Sequence, residues 1–478
     1  MLSYIKDNRD KIAHSYWYIG LIAIFSLIGW WLDSIELSYT SLAIFMIITP
    51  ILTYDIKTIL IFIPFCLTCF REFFYFSNIP LALYIFIAAV VIAVFIYIFR
   101  NIRENKNIKF RLNIASISFI ALTLISLIST IVRHVFYNEP AYFTDKVTSE
   151  LIQYPNSYNI MYGYLFTGVL FLITLLGISF SSFKNNMKYN LFEKIFYIFG
   201  LYLALQYIIA FINVNSNILD FKNLNFIPYN KDYIGWADKN TFIIAIELCL
   251  PFLCGILKKS LKRIDVIAII CIFAGITLVS DSRGGQLTIG IMAPLLLYII
   301  VMDKKHKWIW YFSCITLAAT AILGAYLLVD PIKNSVDRIF EQGFYLTGRD
   351  KFWLSTINFT FDDPSHMPFG PSPAFLFELY RDFHPDTTNV GVWLCHNSFV
   401  TAIAIGGLFG LLAIIYHHIE VGFGIIKRAD DNDKFVILAF FAFGMIHGII
   451  DNTLFSVLYL LPYIIILSEY DKSFKELI

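Results

Sequence analysis

Charge is what this chain is short of. Asp, Glu, Lys and Arg make up 15% of its 478 residues, where a soluble globular protein carries about a quarter. That scarcity, with a mean hydropathy of +0.69, leaves no stretch polar enough for a separate soluble domain. No Gly-rich phosphate loop follows a strand, which argues against a nucleotide-driven machine. Seven cysteines are present, but they lie mostly inside apolar runs. They form neither a disulfide framework nor a metal-ligand cluster. Cys66 and Cys69 make a CxxC within an apolar helix, where they read as small buried hydrophobes. Heptads and internal repeats are absent, and nothing in the chain suggests a nucleic-acid partner.

What the chain has instead is a succession of long apolar runs. A bilayer core of roughly 30 Å takes about 20 apolar residues per helix, and lipid forces every backbone amide to be satisfied within the chain. The runs therefore predict an all-α, polytopic membrane protein of about fourteen transmembrane helices. The expected spans are 16–32, 37–53, 58–76, 80–99, 113–132, 159–182, 193–213, 240–257, 264–280, 285–302, 308–329, 396–416, 434–450 and 453–468. Residues 1–478 are read as a single transmembrane domain, and 330–395 as a large, partly helical outer loop folded onto the membrane surface. The first run is too long for a signal-peptide core and no small-residue cleavage site follows it, so it is read as an uncleaved span. With the N-terminus inside, 24 of the 36 Lys and Arg fall in short inner segments. This is the sidedness of the positive-inside rule, and it puts both termini in the cytoplasm.

Three constellations stand out on the expected outer side. In DSRGG, Asp281 to Gly285, Ser282 can cap a helix beginning at Arg283. Gly284 and Gly285 allow a backbone or a ligand to approach, so the helix start with Arg283 forms an anion site. The plainer alternative is an interfacial arginine snorkelling to headgroups. In LTGRDKFW, Leu346 to Trp353, Thr347 and Asp350 make a capping-box variant. Phe352, Trp353 and Ile357 then share a face suited to the interface. Arg349 in the first turn is poorly placed by dipole logic unless an anion binds beside it; a solvated surface arginine is the alternative. The third, CHNSFVTAIAIGGLFG, Cys395 to Gly410, puts His396 and Asn397 at the outer mouth of a span, suiting a neutral imidazole base. Gly406, Gly407 and Gly410 permit close packing there. His417 and His418 fall on the cytoplasmic edge. His447 with Asp451 and Asn452 is a lesser candidate. Glu247, the one acid deep in a span, is either a site residue or a structural partner of Gln206 or an arginine.

The order SRGG, then TGRDKFW, then HNSFV with GGLFG resembles the O-antigen ligase and Wzy-type polymerase superfamily, bacterial membrane glycosyltransferases with a GT-C-like helical fold. The likeness runs from about Trp236 to Asp451 and includes ADKNTFIIAIELCLP, Ala237 to Pro251, similar to the family's Asn-containing helix. It implies an enzyme of the cytoplasmic membrane that takes glycan from an undecaprenyl-diphosphate-linked oligosaccharide donor on the periplasmic side. Arg283 and Arg349 would hold the diphosphate and His396 would orient or deprotonate the acceptor hydroxyl. Ser282, Gly284, Asn240, Glu247 and Asn397 would line the substrate. No metal or other cofactor is implied. The acceptor is a glycolipid: another lipid-linked repeat unit in a polymerase, which the larger span count favours, or lipid A core in a ligase. Membrane lipid and a chain-length regulator protein are further expected partners. A lipid-linked oligosaccharide flippase also has about fourteen helices, but it would carry charges within its spans and short loops on both sides.

The basic-residue asymmetry has a direct test. Lys106→Cys and Lys259→Cys should be shielded from an impermeant thiol reagent in intact cells, while Ser335→Cys should react. Labelling at 106 in intact cells would reverse the orientation.

Overall fold

The structure is a computed structural model. It describes residues 9–68, 81–103, 111–112, 114–136, 141–144, 151–154, 156–182, 191–215, 239–280, 282–302, 305–330, 332–334, 336–337, 349–362, 364–373, 395–425, 427, 431–451, 453–470 and 475–476. The chain divides into two compact units, residues 1–109 with 183–343 and residues 110–182 with 344–478. Among the described residues eight helices are long and apolar enough to cross a membrane. The chain is thus an α-helical, multi-pass membrane protein. Each expected span overlaps at least one described helix, but several of those helices are short for a crossing. Two short antiparallel ladders, Ala141–Thr144 with Leu151–Tyr154 and Arg111–Leu112 with Lys475–Glu476, accompany the helices.

In the first unit, helices α1 (Tyr16–Trp31) and α2 (Ile35–Leu52) form a tight antiparallel pair. Ser15 caps α1 by accepting from the Tyr18 N–H, and Ser34 caps α2 by accepting from the Leu37 N–H. Between them Asp33 takes the left-handed conformation that closes α1, and the Ser34 N–H returns to the Gly29 carbonyl. Gly29 has no alternative, since a Cβ there would lie 2.2 Å from Ser38 Oγ. The expected span 58–76 opens as a buried 3₁₀ turn, Ile56–Ile61, and continues as α3 (Phe62–Thr68); residues 69–76 lie outside the described residues. After α4 (Leu81–Arg103) the second unit intervenes. The first unit resumes with α7 (Leu191–Val214), α8 (Lys239–Lys259), α9 (Ile264–Val279), α10 (Arg283–Val301) and α11 (Lys307–Leu328). Its core is α8, whose residues Phe242 to Cys254 are buried almost without interruption, a helix apolar all round as a central one must be. Phe252 stacks on Phe196 of α7 at 4.4 Å.

The second unit is built on α5 (Ile114–Phe136) and α6 (Asn156–Ser182), with α12 (Arg349–Phe361), α13 (Ser398–Ile419), α14 (Asp431–Gly448) and α15 (Val457–Tyr470). The inward face of α5 is polar. Ser118 Oγ meets His417 Nδ1 at 2.8 Å and Ser126 Oγ meets Thr167 Oγ1 at 2.8 Å. Ser129 Oγ donates to the Phe369 carbonyl, and Arg133 donates twice to the Gly370 carbonyl. Small hydroxyls that bond between helices are the glue available in lipid.

The expected span 396–416 is not a single rod. Gly406 and Gly407 leave helical geometry, Gly407 at φ 56° and ψ −139°, a region essentially reserved for glycine. The two legs fold back on each other. A Cβ on Gly410 would lie 2.1 Å from the Ala402 carbonyl oxygen, and the ring of Phe399 is 4.9 Å from that of His418. In an unbroken helix those two residues would be about 28 Å apart. His417 beside Ser118 and Gly406 beside Ile125 show the second leg running antiparallel to α5. With the π-helical turn Glu420–Ile425 it has the length for a crossing of its own, whereas the first leg is too short for one. Gly406 and Gly407, expected to serve helix packing, therefore make a reversal, while Gly410 does allow the close approach of the two legs. His396, expected at the opposite face from His417 and His418, instead begins the leg whose Phe399 touches His418.

Gly407→Ala should unfold this hairpin, because its Cβ would come within 2.5 Å of the Gly370 nitrogen and the Met367 carbonyl oxygen. A loss of at least about 1–3 kcal/mol is expected, read as a lowered Tm in detergent. Gly20→Ala, which meets nothing within 4 Å, should leave Tm unchanged or slightly raised. An unaltered Tm for Gly407→Ala would refute the reversal.

Candidate functional site

In the second unit the first leg of α13 starts where α14 ends. Asn397 caps the leg: its Oδ1 accepts from the Phe399 and Val400 N–H groups, and its Nδ2 donates to the Ile449 carbonyl at 2.7 Å. Asn397, expected to line the substrate, spends its amide on joining the two elements. On the other side of the junction the Ile450 and Asp451 N–H groups fold back to the His447 carbonyl, so α14 closes in a tight turn that presents Asp451.

His396 stands between these fastenings. Its backbone is left-handed, φ 50°, an arrangement that costs of order 1–2 kcal/mol outside glycine and marks sites held for a purpose. Its Nδ1 lies 3.1 Å from Asp451 Oδ1. The His396 side chain is 35% exposed and that of Asp451 11%. Burial is the largest single influence on the Asp451 carboxyl and acts to raise it; against it stands the hydrogen bond from His396. Together with the charges of His396, His447 and Arg349, that bond holds the carboxyl well below the usual carboxylate range. An ionised Asp451 only accepts, so His396 Nδ1 carries a proton; in the neutral ring Nε2 then presents a lone pair. No hydrogen bond joins Nε2 to a described residue.

Arg349 opens α12 and donates from Nη1 to the Ile450 carbonyl at 2.7 Å. The cation in a helix's first turn is thus answered by a carbonyl and the nearby Asp451, without needing a bound anion to explain it. One turn on, Trp353 Nε1 donates to the Cys395 carbonyl at 2.7 Å, and Trp353 and Phe359 pack on Cys395, Val400 and Ala404. The buried positions of α12 include Thr356 and Thr360, which the expected grouping of Phe352, Trp353 and Ile357 on one face did not include. Thr347 and Asn452 lie outside the described residues. His447 is fully buried beside Gly448 on α14.

The remaining expected site residues belong to the first unit. Ser282 caps α10 as expected, accepting from the Gly285 N–H, and its hydroxyl donates to Asn240 Oδ1 at 2.8 Å. Ser282 and Asn240 are therefore partners, holding the start of α10 to that of α8. A Cβ on Gly285 would meet Ile243 at 2.3 Å: glycine here serves helix contact, with Gly284 buried beside it. Arg283 is half-buried in the first helical turn. Glu247 is fully buried on α8. Asp281 lies outside the described residues.

Two features escaped the sequence reading. Asp451 was grouped with His447, whereas it bonds His396. Buried Arg133, on the Gly370 carbonyl and 5.3 Å from the Phe359 ring centroid, was counted only as a basic residue; the 3–4 spacing of Thr123, Ser126, Thr130 and Arg133 is the signal that marks its face. No family model matches the chain, and no curated protein matches it in sequence.

Loss of Asp451's charge has a predictable acid signature. Its folded-state pKa is lowered from 3.8, so its contribution to stability is present above that value and is lost as pH falls below it. Asp451→Asn should flatten the decline of Tm with acidity below about pH 4. Parallel decline in wild type and variant would mean the carboxylate is not engaged.

Proposed function

We propose that this chain is a membrane glycosyltransferase that polymerises a surface glycan from an undecaprenyl-diphosphate-linked donor. The observation that carries the reading is the His396–Asp451 pair: an ionised, nearly buried carboxylate fixes the tautomer of a ring whose second nitrogen is open. In this reading the chain crosses the bacterial cytoplasmic membrane about fourteen times in a GT-C-like arrangement, with both termini inside. In the same reading the site opens on the periplasmic side.

The chemistry is a single displacement. The acceptor hydroxyl gives its proton to His396 Nε2 as its oxygen bonds the anomeric carbon, and the bond from that carbon to the diphosphate breaks. Asp451 holds the ring and lies beside the positive charge it acquires. Diphosphate leaves with its electron pair, and Arg349 takes up the charge that develops on it; the family resemblance gives Arg283 a part in the same step, which its own variant tests. Asn240 and Ser282 hold Arg283's helix in place. The acceptor is a second lipid-linked repeat unit; the same pair would serve a ligase acting on lipid A core, so both acceptors belong in the assay.

With purified protein and a synthetic lipid-linked donor, His396→Ala should bind donor nearly as wild type and lose transfer by about 10²–10⁴-fold. His396→Gln should be as inactive, because an amide can orient a hydroxyl but cannot take its proton. Arg283→Ala and Arg349→Ala should each cost about 10²–10³-fold, with only partial recovery in the Lys variants. Near-normal turnover of His396→Gln would remove the base assignment. Wild-type transfer by either folded arginine variant would remove that residue from the scheme.

A further inference from the structure

Far from these residues in sequence, the first unit gathers four helix ends around one buried histidine. His14 is 4% exposed and precedes α1. Its Nδ1 lies 2.7 Å from the Asp10 carbonyl oxygen, and its Nε2 lies 3.1 Å from Asp55 Oδ2. Asp55 is itself buried, in the turn after α2, where its Oδ1 accepts from the Lys57 N–H at 3.0 Å. Thr53 of the same turn donates to the Asp10 carboxylate. From α7, Lys194 Nζ donates to the His14 carbonyl at 2.8 Å. From α4, Arg100 reaches the Thr53 carbonyl and lies over the Tyr54 ring, and Asn101 donates to the Tyr54 carbonyl. The charged and titratable groups around the ring are therefore Asp10 on its own segment, Asp55 and Lys57 on the turn, Arg100 and Tyr97 on α4, and Lys194 on α7.

Both ring nitrogens face acceptors. A carbonyl oxygen cannot donate, so Nδ1 must carry a proton. The contact with Asp55 needs a second proton, whether it sits on Nε2 or on the carboxyl. The arrangement thus holds one proton more than a neutral imidazole beside an ionised carboxylate. We infer that His14 is a protonation-dependent latch that fastens the segment before α1 to the Thr53–Asp55 turn and lets it go when that proton is lost.

The electrostatics agree. Burial alone would lower the imidazole, but the Asp55 hydrogen bond, the Asp10 carbonyl and the two carboxylate charges more than offset it, and the net shift is upward from 6.5. A raised folded-state value means the latch is fully closed below pH 6.5 and weakens as pH rises through that value. Between the open-state and closed-state values, the opening equilibrium should rise up to about tenfold per pH unit, since one proton is released. The inference rests on the first unit alone and is independent of the proposed glycosyl transfer.

Hydrogen exchange of the full-length protein in detergent tests it, with rates corrected for the intrinsic pH dependence of exchange. Amides of residues 12–19 and 55–58 should lose protection between pH 6 and pH 9 in wild type, while those of α8 should not. His14→Gln, which cannot titrate, should abolish the pH-dependent step. Asp55→Asn should move the step to lower pH. Wild-type protection of 12–19 that is constant across this range would overturn the inference whether or not either variant folds. So would a His14→Gln protein that keeps the wild-type profile.

Discussion

A hydrocarbon solvent offers polar groups no partner, and the organisation of both units follows from that one constraint. Backbone groups are satisfied by helices, which the apolar runs dictate. Polar side chains within the runs have to find each other. Tyr18 pairs with Thr49 across α1 and α2, and Ser26, Tyr202 and Gln206 form a chain between α1 and α7. The hydroxyls of α5 reach α6, α13 and the 366–372 segment. Individual bonds of this kind contribute on the order of 1 kcal/mol. Their larger effect is on register: with apolar surface on every side, helix faces are distinguished by which polar groups must meet.

The same constraint explains why the reversal at Gly406–Gly407 is so heavily fastened. Breaking a helix inside the membrane frees backbone groups that only protein can satisfy. The Leu408 N–H goes to the Met367 carbonyl and the Phe409 N–H towards the Pro368 carbonyl. The segment that supplies these carbonyls is itself pinned by Ser129, Thr130 and Arg133. A long sequence separation is thereby converted into a hydrogen-bonded cradle for the hairpin. The left-handed backbone of His396 persists because Asn397, Trp353 and Asp451 over-determine the residues on either side of it and its ring.

Much of this could be read from the chain itself. Helix positions followed from hydropathy, since lipid makes an apolar run and a helix nearly synonymous, and Ser282 was recognisable as a cap from its place before Arg283. The hairpin was not legible, because hydropathy counts apolar residues and is blind to a change of direction between them. GG in a span fits close packing as well as it fits a positive φ, and only the opposing backbone of Gly370 and Met367 decides between them. The pairing of His396 with Asp451 was hidden for the same reason: the two sit at the starts and ends of different helices, and their meeting depends on the reversal. In α12, an amphipathic reading of Trp353 and Ile357 missed that Thr356 and Thr360 face inward, where each threonine hydroxyl can satisfy itself on its own helix, as Thr360 does on the Thr356 carbonyl.

Three buried or half-buried histidines show how far environment, and not residue type, sets what an imidazole can do here. His417 has a hydroxyl at each nitrogen, Ser118 at 2.8 Å and Tyr463 at 2.9 Å. Either hydroxyl can donate or accept, so these two contacts fix no tautomer, and the residue bolts α5, α13 and α15 together. At His14 two acceptors demand two protons, and the contact becomes conditional on a proton. His396 has an acceptor on one side only. A proton at Nδ1 is fixed by Asp451, and in the neutral ring the opposite nitrogen keeps a lone pair with no described partner, on a side chain that is about a third exposed. Of the three, only His396 is arranged to take a proton from something the chain does not contain. The glycosyl-transfer reading needs such an atom, and in the second unit it lies on the same junction that carries Arg349.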